Sequence, residues 1–268
     1  MNLKKVYEFS YSFLIDEASD YLTKQQIDDF ISNPDVKNCN SIKKAYELLI
    51  VMLQDFNRYP TVIKYDERKE YIKNTLHNYD LNYIANLNPD VLLQSFREEF
   101  KFTKDTMWLR YVKGLITGAK FMNSFTNFDD FRSTFDSFNI NDMTREALAL
   151  FLSTKITNMG FAIACNWLKE LGYYEYAKPD THTKDVCNTL CLAPKNDDIA
   201  CFEAMVKVAK EAGVEVYKVD KVWWLICSGD FYRYHIKLPN QKKLKENFLT
   251  ALKQNFILTT SSLPNNTI

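Results

Sequence analysis

Glycine is scarce in this sequence, with six residues among 268. The alternation of apolar and polar residues that marks half-buried strands is nowhere sustained. Apolar residues instead recur at helical spacing along most of the chain, for example at Ala45, Leu48, Leu49, Met52 and Leu53. The content of 46% hydrophobic and 25% charged residues excludes a disordered chain. The sequence therefore predicts a globular, all-α protein.

Long apolar runs are also missing. The longest stretches, such as 147–152 and 222–227, are far too short to span a bilayer. The N-terminus reaches Asp16 and Glu17 without a long apolar run or a cleavage site of small residues. We therefore expect a cytoplasmic protein that does not bind membranes.

Histidine and paired cysteines are too few for a metal centre. The chain has three histidines, and its six cysteines form no CxxC pair. Cys187 and Cys191 could share a helix face, but tetrahedral zinc needs three or four protein ligands. We therefore expect buried, reduced thiols, no metal and no cofactor. The formal net charge of zero does not decide on nucleic acid, because duplex binding depends on where lysines cluster.

Two of the glycines, Gly114 and Gly118, have the spacing of a membrane dimerisation motif. Lys113 and Lys120 flank them, and the apolar run between is too short for a membrane span. This spacing is more typical of two soluble helices that pack closely.

The most informative stretch is 145–185. Its first part predicts a helical hairpin over about 144–171, with a first helix that ends near Ile156 and a second that begins at Phe161. Between them, Asn158 and Gly160 are residue types that tolerate left-handed backbone angles. Small Ala164 would let the two helices approach closely. A tight reversal is therefore expected at 157–160.

The start of the second hairpin helix could bind an anion. Amides of a first helical turn lack intrahelical acceptors, and the helix dipole adds positive potential there. A DNA phosphate would fit, and backbone amides would bind it without reading sequence. The alternative is an ordinary packing corner between two helices.

The segment resembles the helix-hairpin-helix superfamily of DNA glycosylases, which includes endonuclease III and the 8-oxoguanine and 3-methyladenine enzymes. The family hairpin, with its glycines and a following alanine, is matched by Asn158-Met-Gly160-Phe-Ala-Ile-Ala164. The Asp-Thr-His that follows the hairpin in the family is matched by Asp180-Thr-His182 at the family's separation. The resemblance implies a two-lobed helical DNA-glycosylase fold.

The resemblance also implies site residues. Asp180 falls on the catalytic aspartate, and His182 falls on a residue that contacts a phosphate beside the flipped nucleotide. The phosphate-binding turn corresponds to Thr157, Asn158, Met159, Gly160, Phe161 and Ala162. Asp180 also fits the chemistry, because breaking a base–sugar bond builds positive charge on deoxyribose that a carboxylate can stabilise. The alternative use of Asp180 is a helix cap, which is compatible with catalysis.

Three positions depart from the family. Relatives that nick DNA carry a Schiff-base lysine where this chain has Ala162, so the resemblance implies hydrolysis without strand cleavage. Lys155 and Lys178 lie nearby in sequence, but covalent attack depends on position. Asp185 stands where many relatives have arginine, and Lys184 is expected to compensate and contact DNA. Asn158 replaces the first hairpin glycine. The family's cysteine cluster motif is missing, so no iron–sulfur cluster is expected.

Further site residues are expected outside this segment. Asn57, in a loop after an early helix, is the candidate to fill the gap left by a flipped base, with a solvated loop residue as the alternative. Trp223, Trp224 and Phe231 are candidates for the base pocket, where flat rings stack on a base. Adjacent tryptophans point to different faces of a helix, so one of the pair is expected in the core. Lysines 237–253 make a basic stretch that faces either phosphates or solvent.

We therefore expect two lobes with a DNA cleft between them: residues 1–50 with 165–258, and 51–164, followed by a flexible tail at 259–268. The function predicted is a monomeric, nucleoid-associated glycosylase that acts on a modified base in double-stranded DNA. Alkylated purines are favoured over oxidised ones, and a phage-type modified cytosine is a further possibility. A non-catalytic hairpin module that binds DNA and an unrelated helical scaffold are the alternatives.

Overall fold

The structure is a computed structural model that describes residues 1–32, 39–55 and 59–258. Within these ranges the chain forms fifteen α-helices and a two-stranded antiparallel sheet of four residues. The prediction of an all-α protein is confirmed. Within the same ranges, none of the helices has both the length and the apolar character needed to cross a membrane.

The chain divides into two compact units. The terminal unit comprises Met1–Asp35 and Tyr174–Ile268, and the central unit comprises Val36–Tyr173. These boundaries differ from the predicted lobes, whose limits at 50/51 and 164/165 both fall inside helices. The two helices concerned pack against each other, which keeps both of them in the central unit. The predicted tail 259–268 and Asn57 lie outside the described residues.

Among its described residues, the terminal unit contains six helices and the small sheet. Its helices are α1 (Leu3–Ala18), α2 (Lys24–Ser32), α12 (Thr181–Thr189), α13 (Asp198–Ala212), α14 (Val216–Ser228) and α15 (Gln241–Phe256). Strands β1 (Asp230–Phe231) and β2 (Ile236–Lys237) flank a 3₁₀ turn at Tyr232–Tyr234. The central element of this unit is α14, which packs on α1, α12, α13 and α15. Its Trp223 is fully buried and donates from Nε1 to Ser10 Oγ at 3.2 Å.

The central unit contains nine described helices: α3 (Ile42–Leu53), α4 (Tyr59–Ile63), α5 (Tyr65–Thr75), α6 (Leu81–Ala85), α7 (Pro89–Phe100), α8 (Asp105–Met122), α9 (Phe128–Phe138), α10 (Asp142–Lys155) and α11 (Phe161–Glu170). Helix α8 packs on α3, α6 and α7, and α11 packs on α3 and α10. Buried polar groups find partners across these contacts: Trp167 Nε1 donates to Ala45 O at 3.1 Å, and the Tyr46 hydroxyl donates to Leu115 O at 2.8 Å.

The glycines of α8 allow close packing. A Cβ at Gly118 would lie 2.7 Å from Leu49 Cδ2, and a Cβ at Gly114 would lie 2.7 Å from the carbonyl oxygen of Thr157. Both distances are too short for a side chain to be accommodated without a shift. The prediction of close packing at these glycines is confirmed, and Gly114 makes room for the turn between α10 and α11.

Many helices begin at a side-chain cap, which explains where they start. In eight of the described helices an Asn, Asp or Ser accepts a hydrogen bond from an amide of the first turn. Helix α10 has a capping box between Asn141 and Thr144. Asp180 is the cap of α12, and α11 starts without a side-chain cap. These last two helix starts bear the residues singled out from the sequence.

Candidate active site

The turn between α10 and α11 has the predicted backbone reversal. Asn158 lies in the left-handed region with φ 69°, a conformation that asparagine adopts at small cost. Its side-chain Nδ2 donates to Leu53 O at 3.0 Å, and the amide of Thr157 donates to Thr117 Oγ1 at 2.9 Å. Two other helices of the central unit, α3 and α8, therefore fix the turn.

The start of α11 offers backbone amides rather than side chains. Its cap residue Gly160 has no side chain, and the described residues supply no acceptor to the amides of Gly160, Ala162 and Ile163. Met159 and Phe161 point into the core, with 3% and 7% of their surface exposed. The turn therefore exposes backbone N–H groups at the positive end of the helix dipole, an arrangement that favours the binding of an anion.

Neither the backbone angles nor the packing at position 160 require a glycine. Its φ of −80° suits any residue, and a Cβ built there would meet nothing within 4 Å. The open space that it leaves lies at the uncapped amides, where a bound anion would approach the backbone. Ala162, two residues further on, carries only a half-buried methyl group and no amine.

In the terminal unit, Asp180 is held by the start of α12. Its Oδ1 accepts from the amides of His182 at 2.8 Å and Thr183 at 3.0 Å. Its own amide donates to Lys178 O at 2.8 Å, which makes a three-residue turn around Pro179. Its Oδ2 accepts no hydrogen bond from the described residues, and the residue is half-exposed. One carboxylate oxygen is thus fixed while the other is available.

The loop before Asp180 is anchored to buried groups. The hydroxyl of Thr183, a fully buried residue, donates to Lys178 O at 3.0 Å. The amide of Lys178 donates to Oδ2 of Asp220, which is 3% exposed. Because these contacts hold the loop from α12 and from α14, they fix the position of the Asp180 carboxylate before any ligand binds.

Four charged or polar side chains form a network beside Asp180. Lys245 Nζ of α15 lies 2.6 Å from Asp185 Oδ2 and 3.2 Å from His182 Nδ1. Lys195 Nζ lies 2.7 Å from Asp185 Oδ1. Burial raises the pKa of Asp185, but its hydrogen bonds to Lys195 and Lys245 outweigh burial and hold that pKa below its ordinary value. Asp185 is therefore an anion matched by two lysines.

The imidazole of His182 protonates less readily than an imidazole in water. Burial is the main cause that lowers its pKa, and the charge of Lys245 lowers it further, against the opposite effect of Asp180. His182 Nε2 has no hydrogen-bond partner among the described residues. Nε2 is thus the atom of this network at which a ligand could form a hydrogen bond.

The structure corrects several expectations for individual residues. Lys184 does not compensate for Asp185, because its Nζ is paired with Asp198 Oδ1 at 2.7 Å. Trp223 and Phe231 are fully buried core residues, so neither ring is available to stack on a base in this conformation. Trp224 is half-exposed and meets Tyr232 edge to face, with ring centroids 6.1 Å apart. The prediction that one of the two tryptophans lies in the core is confirmed.

Sequence reasoning missed the roles of Lys195, Asp220 and Lys245. Lys245 is one of several lysines in a basic stretch, and nothing in its neighbourhood distinguishes it from Lys242 or Lys243. Asp220 carries a weak signal, because an acidic residue in a largely apolar helix such as α14 requires a partner if it is buried.

Neither a scan against models of protein families nor a search of curated protein sequences gives a match. A comparison with solved structures does. The chain is similar to the crystal structure of Methanocaldococcus jannaschii 8-oxoguanine glycosylase/lyase in complex with a 15mer DNA containing 8-oxoguanine. The TM-score is 0.51 and the sequence identity 15%, and the match covers 79% of this chain and 94% of that chain. At this identity the similarity concerns the fold.

The predicted fold class is confirmed by this comparison. The chain has an all-α fold like that of a DNA glycosylase. Within that fold, α10 and α11 form the helical hairpin and Asp180 caps the helix that follows it.

Proposed function

We propose that the protein is a monofunctional DNA glycosylase, which flips a modified base out of double-stranded DNA and hydrolyses its N-glycosidic bond. The observation that carries the proposal is that the two oxygens of the Asp180 carboxylate differ in their hydrogen bonds. Oδ1 is locked by two amides of α12, and Oδ2 accepts no bond from the described residues. The glycosylase-like fold supports the same conclusion.

The chemistry assigned to Asp180 is electrostatic. As the bond between base and sugar breaks, positive charge grows on the deoxyribose ring, and a preorganised carboxylate stabilises it without having to reorient. The open Oδ2 can also orient the attacking water and accept its proton. Both roles need the carboxylate in its ionised form.

In this proposal the hairpin binds the DNA backbone. The uncapped amides of α11 and the open space at Gly160 suit a phosphate oxygen, and this contact is independent of sequence. Selectivity would then come from the weakened pairing of a modified base and from the shape of the pocket that receives it. Trp224 remains the candidate for stacking on that base.

Hydrolysis without strand cleavage follows from the residue at position 162. An enzyme that nicks DNA through a Schiff base needs an amine at the sugar, and Ala162 has none. We propose an intact abasic site as the product. Among substrates, alkylated purines are favoured, and a modified phage cytosine would place the same chemistry in defence rather than repair. A monomer suffices for this activity.

The decisive experiment replaces Asp180 by asparagine. Asparagine caps a helix about as well as aspartate, so the fold is retained while the negative charge is lost. We expect base release from duplexes with modified bases, revealed by alkali, to fall at least about 100-fold. Affinity for the duplex should persist. Asp80→Asn is the matched control, because Asp80 also caps a helix with its carboxylate and takes no part in the proposed site.

A non-catalytic hairpin module that binds DNA is the second candidate, and the uncapped start of α11 favours it as much as it favours the enzyme. Such a module would release no base with Asp180 present or replaced, over a full panel of alkylated, oxidised and phage-type bases. Nicking before alkali treatment, with trapping of the protein on DNA by borohydride, would contradict the monofunctional reaction.

A further inference from the structure

Lys245 makes a contact that restricts the chemistry of His182. Its Nζ lies 3.2 Å from His182 Nδ1 and 2.6 Å from Asp185 Oδ2, and 19% of its side chain is exposed. Helix α15 thus brings one ammonium group to two side chains of α12, 60 and 63 residues away in sequence.

The direction of this hydrogen bond is set by elementary chemistry. A lysine ammonium has three N–H donors and no lone pair, so it can only donate. Nδ1 must therefore carry the lone pair, and the single proton of a neutral imidazole must lie on Nε2. A doubly protonated ring would instead point an N–H group at the ammonium, which is repulsive.

We propose that Lys245 is a positioning residue that holds His182 neutral with its proton on Nε2. His182 is then a hydrogen-bond donor at Nε2, and the positive charge of the site resides on Lys245. The ligand that this arrangement fits is an anionic oxygen, such as a phosphate oxygen of DNA. That identification of the ligand rests on the proposed function, whereas the state of the imidazole does not.

The surrounding charges are consistent with this assignment. Lys178 in the preceding loop and Lys245 on α15 act on His182 with positive charge, and Asp180 and Asp185 act on it with negative charge. Cys227 of α14 is a neutral neighbour of Lys245 and Asp180, because burial raises the pKa of its thiol to about 12. Lys195 adds a second ammonium group on the Asp185 carboxylate.

The direct test is nuclear magnetic resonance of the full-length protein, without DNA, with ¹⁵N-labelled histidine. The chain has only three histidines, and His182→Gln assigns the signal. At pH 7.5 we expect the Nε2-protonated tautomer, and on acidification a pKa below the ordinary value of 6.5. A ring protonated on Nδ1, or on both nitrogens at pH 7.5, would overturn the proposal.

Lys245→Met supplies the second test. We expect a mixture of the two tautomers and a rise in the pKa of His182, since a donor and a nearby positive charge have been removed. Lys253→Met, on the exposed face of the same helix, should change neither. Lys245→Arg keeps a donor and should restore the wild-type tautomer. If Lys245→Met left tautomer and pKa unchanged, Lys245 would have no positioning role. Should that variant not fold, the wild-type spectrum and Lys245→Arg still decide.

The ligand is tested separately with a duplex that carries an abasic-site analogue. We expect the Nε2 signal of His182 to shift on binding, as its N–H meets a phosphate oxygen. Saturating duplex that leaves this signal unmoved would overturn phosphate as the ligand. Because the first spectra contain no DNA and no base release, the tautomer can be confirmed even where the proposed glycosylase activity fails, and the reverse.

Discussion

Thr183 holds Asp180 in place through its backbone and its side chain together. The amide of Thr183 donates to Asp180 Oδ1 at 3.0 Å, and its hydroxyl donates to Lys178 O at 3.0 Å. Thr183 thus holds both the Asp180 carboxylate and the loop that precedes it. Because Thr183 is fully buried, water cannot replace either bond.

Thr183→Val is expected to loosen Asp180 without touching a ligand. Valine keeps the shape but removes one of the two donors to the carbonyl of Lys178, which keeps the amide of Asp180, at a cost of about 0.5–1.5 kcal/mol in the free energy of unfolding. Base release should fall while the affinity for duplex DNA changes little. Thr183→Ser, which keeps the hydroxyl, is the control. Equal losses of base release in both variants would mean that packing, not the hydrogen bond, matters; urea unfolding and the alkali assay measure the two effects.

Gly160→Ala separates DNA binding from stability. Position 160 has a φ that alanine accepts and open space where a Cβ would lie, so the free energy of unfolding should change by less than about 0.5 kcal/mol. A methyl group at the uncapped amides should nevertheless hinder a phosphate and weaken duplex binding.

In contrast, Gly213→Ala forces alanine to a φ of 70° and should cost about 1 kcal/mol with DNA affinity unchanged. Unfolding in urea and fluorescence anisotropy give the two readouts, and unchanged affinity in Gly160→Ala would argue against phosphate binding at this turn.

Parts of this arrangement could be predicted from the sequence, because they depend on local patterns. The longer helices follow from apolar periodicity, and the left-handed turn follows from Asn158. The five-residue helices α4 and α6 are too short to show such periodicity. The division into units at 35/36 and 173/174 does not follow from composition, because the Asn-Pro-Asp at 33–35 recurs at 88–90 within the central unit, and 173/174 has no linker composition.

The network around His182 could not be predicted for a different reason. Lys245 and His182 are 63 residues apart, and only the packing of α15 on α12 brings them together. A helix surface rich in lysine carries no local sign of which ammonium is partly buried. For the same reason the sequence does not show that Phe231 packs edge to face on Phe30 in the core.

Lowered pH should destabilise the protein through His182 before it does so through Asp185. The pKa of His182 is lowered on folding, so the unfolded chain takes up a proton that the folded chain resists. The contribution of His182 to stability is therefore present above about pH 6.5 and is lost as the pH falls through its folded pKa. His182→Gln should flatten the fall of the unfolding free energy between pH 7.5 and about 5. Asp185 acts lower, below its ordinary pKa of 3.8, since its folded pKa is also lowered. Urea unfolding across this range checks the order, and an equal slope in wild type and His182→Gln would contradict it.

Gly114→Ala tests whether helix α8 sets the position of the hairpin turn. The added Cβ would lie 2.7 Å from the carbonyl oxygen of Thr157, a backbone atom that can move only if the turn moves. We expect a loss of about 1–3 kcal/mol in the free energy of unfolding, together with weaker duplex binding. Gly118→Ala is the matched control on the same helix, because its Cβ would meet the end of the Leu49 side chain, also at 2.7 Å. That side chain can change rotamer, so Gly118→Ala should lower stability without lowering DNA affinity. If both variants bound the duplex as the wild type does, the turn would not be the part of the central unit that grips DNA.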